Sequence, residues 1–130
     1  MDLTNLTTLR SLCQRYGIRP DTDAGQHFLV NRAVLDSIIA AADLSSADTV
    51  VEVGAGLGTL TVELVQRVGR VIAIELDPKL CTAAREVLKS YRNVELIHGN
   101  FLTLPMTTYS LLTTHYKLVA NLPYGITGRF

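Results

Sequence analysis

The sequence predicts an α/β fold, a parallel sheet with flanking helices. Three observations carry this. Short β-branched apolar runs alternate with stretches whose apolar residues recur at three and four. The run over 49–53 is short and continuous rather than alternating, as in a strand buried on both faces. This run, Thr49-Val50-Val51-Glu52-Val53, leads into Gly54-Ala55-Gly56-Leu57-Gly58 and then a helical pattern. A strand, a glycine turn and a helix start make a site for the polar parts of a nucleotide-like ligand. The spacing is G-x-G-x-G, not the G-x-G-x-x-G of a dinucleotide site, and such turns also occur where a strand merely meets a helix closely.

The elements follow in order. Leu3, Leu6, Leu9, Leu12, Cys13 and Tyr16 mark one amphipathic helix, ended by Gly17. Residues 19–25 are a breaker-rich connection. Asn31 is placed to cap a second helix that turns Val34, Leu35, Ile38, Ile39 and Ala42 inward. A strand over 49–53 leads to a helix over 59–67, with Leu60, Leu64 and Val65 on one face. The next strand, 71–74, ends at Glu75. Asp77-Pro78 is a cap followed by proline at the first helical position. That helix, 78–89, buries Leu80, Ala83, Ala84, Val87 and Leu88. A strand over 94–97 ends at His98-Gly99-Asn100. After a looser stretch, a strand over 118–120 ends at Asn121-Leu122-Pro123-Tyr124. Parallel neighbours joined through helices imply right-handed crossovers.

At 130 residues and 48% apolar, the chain is one domain or part of one, with enough apolar surface for a real core. Twelve basic residues balance twelve acidic ones, so no overall charge draws it to nucleic acid. Cys13 and Cys81 stand apart, without C-x-x-C or histidine at ligand spacing. They read as small buried hydrophobes in a reducing, cytoplasmic setting, and no metal is expected. No apolar run is long enough to span a bilayer, and no secretory signal opens the chain.

In an open parallel sheet, ligands bind beyond the carboxyl ends of the strands. Here each strand ends in polar or permissive residues. The first gives Gly54 and Gly56. The second gives Glu75, about twenty residues after the glycines, where a carboxylate can take both ribose hydroxyls of an adenosine. The third gives Gly99-Asn100, whose amide oxygen can accept from an adenine amino group or simply form a turn. The fourth gives Asn121, Leu122, Pro123 and Tyr124. Proline removes a donor there, asparagine supplies an acceptor and tyrosine a flat face, a set suited to a planar base with an exocyclic amine.

With these residues in view, the chain resembles the adenine N6,N6-dimethyltransferases of small-subunit ribosomal RNA, a class I methyltransferase family using S-adenosyl-L-methionine. The resemblance runs from Tyr16 to Phe130. It rests on Gly25-Gln26-His27-Phe28-Leu29, on the segment from Glu52 to Thr61, on Glu75-Leu76-Asp77, on Gly99-Asn100-Phe101 and on Asn121-Leu122-Pro123-Tyr124. It implies a Rossmann-like sheet of order 3-2-1-4-5-7-6, of which this chain holds the first four strands. Residues 1–47 then form N-terminal helices and a cofactor-lid segment, and 48–130 a partial cofactor-binding domain. The rest of the sheet and a helical RNA-gripping domain would follow.

The resemblance also implies roles. His27 and Leu29 line the cofactor site near its methionine end, and Gly54 and Gly56 approach the methionine part by backbone. Glu75 holds the ribose, Asn100 meets the adenine, and Leu76 or Phe101 packs on its face. Asn121 contacts the reacting amine and the cofactor, the Leu122 carbonyl adds an acceptor, Pro123 fixes the backbone, and Tyr124 stacks on a flipped base. The implied partners are small-subunit ribosomal RNA and its precursor particle, without a membrane. A bare edge on the fourth strand suggests self-association. Two departures stand out: Asn100 replaces the family's usual aspartate, and Asp21 and Asp23 stand where basic residues are usual. Alternative readings are a large-subunit adenine methyltransferase of the antibiotic-resistance type, a non-catalytic nucleic-acid-binding relative, and a nicotinamide dehydrogenase. The first tends toward isoleucine at Leu122; the last is disfavoured by the glycine spacing.

Overall fold

The computed structural model describes residues 2–19, 32–104 and 116–120. The first helix, α1 (Leu6–Arg15), is capped by Asn5, whose side chain accepts from the Thr8 N–H at 3.1 Å. Leu3 lies before this helix rather than in it, yet is buried; Leu6, expected inward, is exposed. Gly17, with φ +66°, ends the helical path as expected. The second helix, α2 (Arg32–Ala42), buries Leu35 and half-buries Ile38 and Ile39, but Val34 faces outward. Asn31, its expected cap, lies outside the described residues.

The sheet has four strands: β1 (Thr49–Val53), β2 (Arg70–Glu75), β3 (Val94–His98) and β4 (Lys117–Ala120). All pairings are parallel, and the order is β3-β2-β1-β4. The crossover from β1 to β2 runs through α3 (Thr59–Val65), and that from β2 to β3 through α4 (Pro78–Leu88). The third helix stops before the expected Arg67: the Arg67 and Val68 N–H groups both turn to the Leu64 carbonyl, and Asn93 Nδ2 satisfies the free carbonyls of Val65 and Val68, at 2.9 and 3.1 Å. Asp77 caps α4 by accepting from Lys79 and Leu80 N–H, with Pro78 in its first turn.

One face of the sheet carries Val50, Val71 and Ala73 against Leu60, Leu64 and Val65 of α3 and Leu35 of α2. α1 continues this layer: Leu9, Leu12 and Cys13 pack with Leu57 and with Leu80, Ala83, Ala84, Val87 and Leu88 around α4. The N-terminal helices therefore share their cores with the sheet units. Polar clasps reinforce the join. Arg15 reaches both Glu86 oxygens at 2.8 and 2.7 Å, and the Tyr16 hydroxyl donates to Glu86 at 2.9 Å. Arg32 bridges α2 to Glu63 of α3 at 2.7 Å. Lys117 of β4 donates to the Ala42 and Asp43 carbonyls at the end of α2 and pairs with Asp48 at 3.1 Å. The opposite face carries Val51, Val53, Ile72 and Ile74, with Ile97, Phe101, Leu104, Leu118 and Ala120 against them. Both cysteines are buried, as the sequence suggests, and no helix among the described residues is long and apolar enough to cross a membrane.

Candidate functional site

The β1–β2 ladder runs on into the glycine turn: the N–H groups of Gly54 and Ala55 both donate to the Ile74 carbonyl, at 2.9 and 3.1 Å. Gly58 N–H then closes the turn on the Ala55 carbonyl at 2.9 Å. Gly54, Gly56 and Gly58 have φ of 81°, 60° and 90°, a region L side chains rarely adopt. A Cβ on Gly56 would meet nothing within 4 Å. That turn therefore leaves its outer side to a ligand.

Glu75 braces the turn from the end of β2. Its Oε1 accepts from Gly56 N–H at 2.7 Å and its Oε2 from Asp77 N–H at 2.9 Å. Gly99 N–H and the Cys81 thiol both donate to the Glu75 carbonyl. The carboxylate thus joins the glycine turn to the loop that follows β2, and each oxygen keeps acceptor capacity for a hydroxyl. Leu76 is 64% exposed beside it. The His98 ring, opposite Glu75 in the β2–β3 register, donates through Nε2 to the Leu76 carbonyl at 3.0 Å and fixes that loop.

Asn100 is exposed, and its Oδ1 accepts from Leu102 N–H at 2.9 Å, so the turn role is present and one oxygen lone pair remains for a ligand. Phe101 packs on the Val51–Ile72 face of the sheet, which leaves Leu76 as the open apolar surface of the expected pair. His27, Leu29, Asn121, Leu122, Pro123 and Tyr124 lie outside the described residues.

Sequence reasoning passed over Glu52. It is fully buried beneath the turn, Thr61 Oγ1 donates to its Oε1, and among the described residues its Oε2 has no hydrogen-bond partner. Burial, followed by the charge of Glu75, pushes this carboxyl up to about 8, against the lowering by Thr61. The signal was present as a glutamate inside an otherwise apolar strand.

The family model for ribosomal RNA adenine dimethylase matches residues 19–130. This chain belongs to the ribosomal RNA adenine dimethylase family. A relative named ribosomal RNA small subunit methyltransferase A, from Dehalococcoides mccartyi strain 195, is 48% identical over 119 residues, covering 92% of this chain and 41% of the relative. The chain therefore spans about two fifths of that relative's length. Among solved structures, a dimethyladenosine transferase from Plasmodium falciparum superposes with a TM-score of 0.61 at 31% identity, over 75% of this chain and 34% of that one. The 23S rRNA methyltransferase ErmE gives 0.62 at 32% identity, over 75% and 38%. Both likenesses place the four-stranded sheet and its helices in the class I methyltransferase fold.

Proposed function

We propose that the complete protein dimethylates adenine N6 in small-subunit ribosomal RNA with S-adenosyl-L-methionine, and that this chain is its cofactor-binding part. The observation that carries the reading is the Glu75 carboxylate, set between the glycine turn and the Leu76–Asp77 loop by two backbone N–H groups. This is a preorganised acceptor for a pair of ribose hydroxyls. The site fits a nucleoside: open space over Gly56, an exposed apolar Leu76, and a further acceptor at Asn100.

The cofactor supplies an electrophilic methyl group on a positively charged sulfur. The chain supplies position. Glu75 and Leu76 would seat the nucleoside end, and the Gly54–Gly56 backbone would receive the amino-acid end, a role shared in this reading by His27 and Leu29. An adenine amino nitrogen delocalises its lone pair into the ring and is a weak nucleophile. Acceptors on Asn121 and the Leu122 carbonyl would hold its hydrogens and turn the lone pair outward, with Tyr124 stacked on the base. Transfer would then be an in-line displacement governed by positioning, with no metal required. The precursor of the small subunit is the partner in this reading; the present chain taken alone, without a fifth strand beside β4, would offer that outer edge to a second copy, tested by sedimentation equilibrium.

Calorimetry tests the cofactor seat. Glu75→Ala should weaken S-adenosyl-L-methionine by about 1–3 kcal/mol, because two hydroxyls lose a charged acceptor. Unchanged affinity would refute the seat, and tighter binding of NADH than of S-adenosyl-L-methionine would overturn the cofactor. The structural likeness to ErmE keeps a large-subunit target as the second reading. Mass spectrometry of both RNAs after treatment with the full-length protein separates the two. Dimethylated adenine in the small-subunit RNA alone is the expected result.

A further inference from the structure

Two carboxyl groups occupy one corner under the glycine turn. Glu52 pairs with Ala73 across β1 and β2, so Glu75, two residues beyond Ala73, projects from the same face of the sheet. Their surroundings differ. Both oxygens of Glu75 accept from backbone N–H groups. Glu52, wholly out of water, has the Thr61 hydroxyl on Oε1 and, among the described residues, nothing on Oε2. An ionised oxygen without a donor in such a place is costly. The neighbouring groups do not offset it: α3 presents the Thr61 hydroxyl, β2 presents Ala73 and the carboxylate of Glu75, and β4 presents Val119. Among the described residues, no cation stands among those neighbours.

A cation would remove the difficulty, and the proposed ligand carries one. With the ribose at Glu75, the amino-acid end passes along the Gly54–Gly56 turn, and Glu52 is the carboxyl two residues before that turn. We propose that Glu52 carries a proton in the ligand-free protein and gives it up when the ammonium group of the cofactor's amino-acid end arrives, so that cofactor uptake releases one proton. This rests on the reading that S-adenosyl-L-methionine is the ligand. The Glu52 O–H bond breaks, its electron pair stays on oxygen, and the proton passes to water. The ammonium keeps all its hydrogens. A neutral acid and a free cation thus become an ion pair and a solvated proton. Thr61 is a positioning residue: its hydroxyl fixes Oε1 and thereby the orientation of the bare oxygen.

The test is titration calorimetry at pH 6.5, in two buffers of different ionisation enthalpy, on the protein at its full natural length. S-adenosylhomocysteine is the probe, since it keeps the ammonium and lacks the reactive methyl. 5′-Methylthioadenosine, the same nucleoside without the amino-acid end, is the control. The expected result is close to one proton released per S-adenosylhomocysteine and none per control ligand. Affinity for the probe should then rise nearly tenfold per pH unit between 6 and 7, as one-proton linkage requires. Glu52→Gln should bind the probe without releasing a proton. Binding of the probe with no buffer dependence overturns the proposal, as does equal release with the control ligand or release that persists in Glu52→Gln. The two ligands on the unaltered protein decide the matter even if the variant does not fold. If the control binds and the probe binds without release, the cofactor reading stands and the proton exchange falls; if neither ligand binds, both fall.

Discussion

Replacing Glu52 by glutamine should change how stability depends on pH. The folded Glu52 carboxyl is pushed up to about 8, first by burial and then by Glu75, from an ordinary value of 4.5. Between those two values the folded protein holds a proton that the unfolded chain has released. The contribution is therefore complete below 4.5 and is lost as pH rises through about 8. Integrated from pH 5 to pH 8, the loss is roughly 3–4 kcal/mol, a large share of the stability of an ordinary domain. Glutamine keeps the shape and the acceptor for Thr61 but never ionises, so its variant lacks this slope.

Urea denaturation followed by circular dichroism, at intervals from pH 5 to 8, measures it directly. The quantity to compare is the stability of the unaltered protein minus that of Glu52→Gln, because every other titrating group is common to both. Asp2, Asp48 and Glu63 act at the acid end: hydrogen bonds from Thr4, from Ser45 and from Arg32, respectively the leading cause for each, lower them, and their contributions are lost as pH falls. The difference should shrink by the stated amount toward pH 8. Parallel curves for the two proteins would show that Glu52 is ionised throughout and would refute the reasoning.

Other substitutions follow from the same geometry. Gly56→Ala places a side chain at φ +60°, where strain costs about 1–2 kcal/mol, and puts a methyl group into the open space over the turn. Melting should show the strain, and calorimetry a greater loss of S-adenosylhomocysteine affinity; wild-type binding would remove the turn from the site. The Arg15–Glu86 clasp, with the arginine half exposed, should show a coupling of no more than about 1 kcal/mol in a double-mutant cycle, fading in high salt. Salt-independent coupling would contradict an ionic origin. Asn100→Asp keeps the acceptor for Leu102 N–H and should tighten S-adenosyl-L-methionine by roughly 1 kcal/mol, since a carboxylate accepts more strongly than an amide. Weaker binding would mean that Asn100 faces a different group.

The sheet was legible because its two central strands are apolar, β-branched-rich runs, a pattern that survives without knowledge of tertiary contacts. Helix ends and faces were less so. The end of α3 at Val65 is capped by Asn93, a residue nearly thirty positions away, which no local pattern announces. Val34 sits on the expected apolar stripe of α2 yet faces outward, because the contact face is centred on Leu35, against Val50 and Leu64. At the site, Glu75 could be placed from its distance to the glycines. Its bonds to Gly56 and Asp77 could not, since they depend on how two loops meet. Leu76 and Phe101 look equivalent as sequence, and only the packing of Phe101 on the second face of the sheet separates them.

Glu52 shows why residue type does not assign a role. It and Glu75 are the same side chain, on adjacent strands and on one face of the sheet, a short distance apart in register. Glu75 ends its strand where the backbone turns, so peptide N–H groups converge on both its oxygens. Glu52 lies inside its strand, where the backbone N–H groups are spent on the ladders to β2 and β4, and among the described residues it is a side chain of α3 that reaches it. One position therefore makes a fixed acceptor for neutral hydroxyls. The other leaves a carboxyl whose charge depends on what arrives beside it. Exchanging the donors around them, rather than the glutamates themselves, should move these roles: Thr61→Val removes the one partner Glu52 has among the described residues, raises the penalty on its ionised form, and should steepen the stability loss toward pH 8 relative to the unaltered protein. An unchanged slope in that variant would mean that Thr61 does not govern the Glu52 carboxyl.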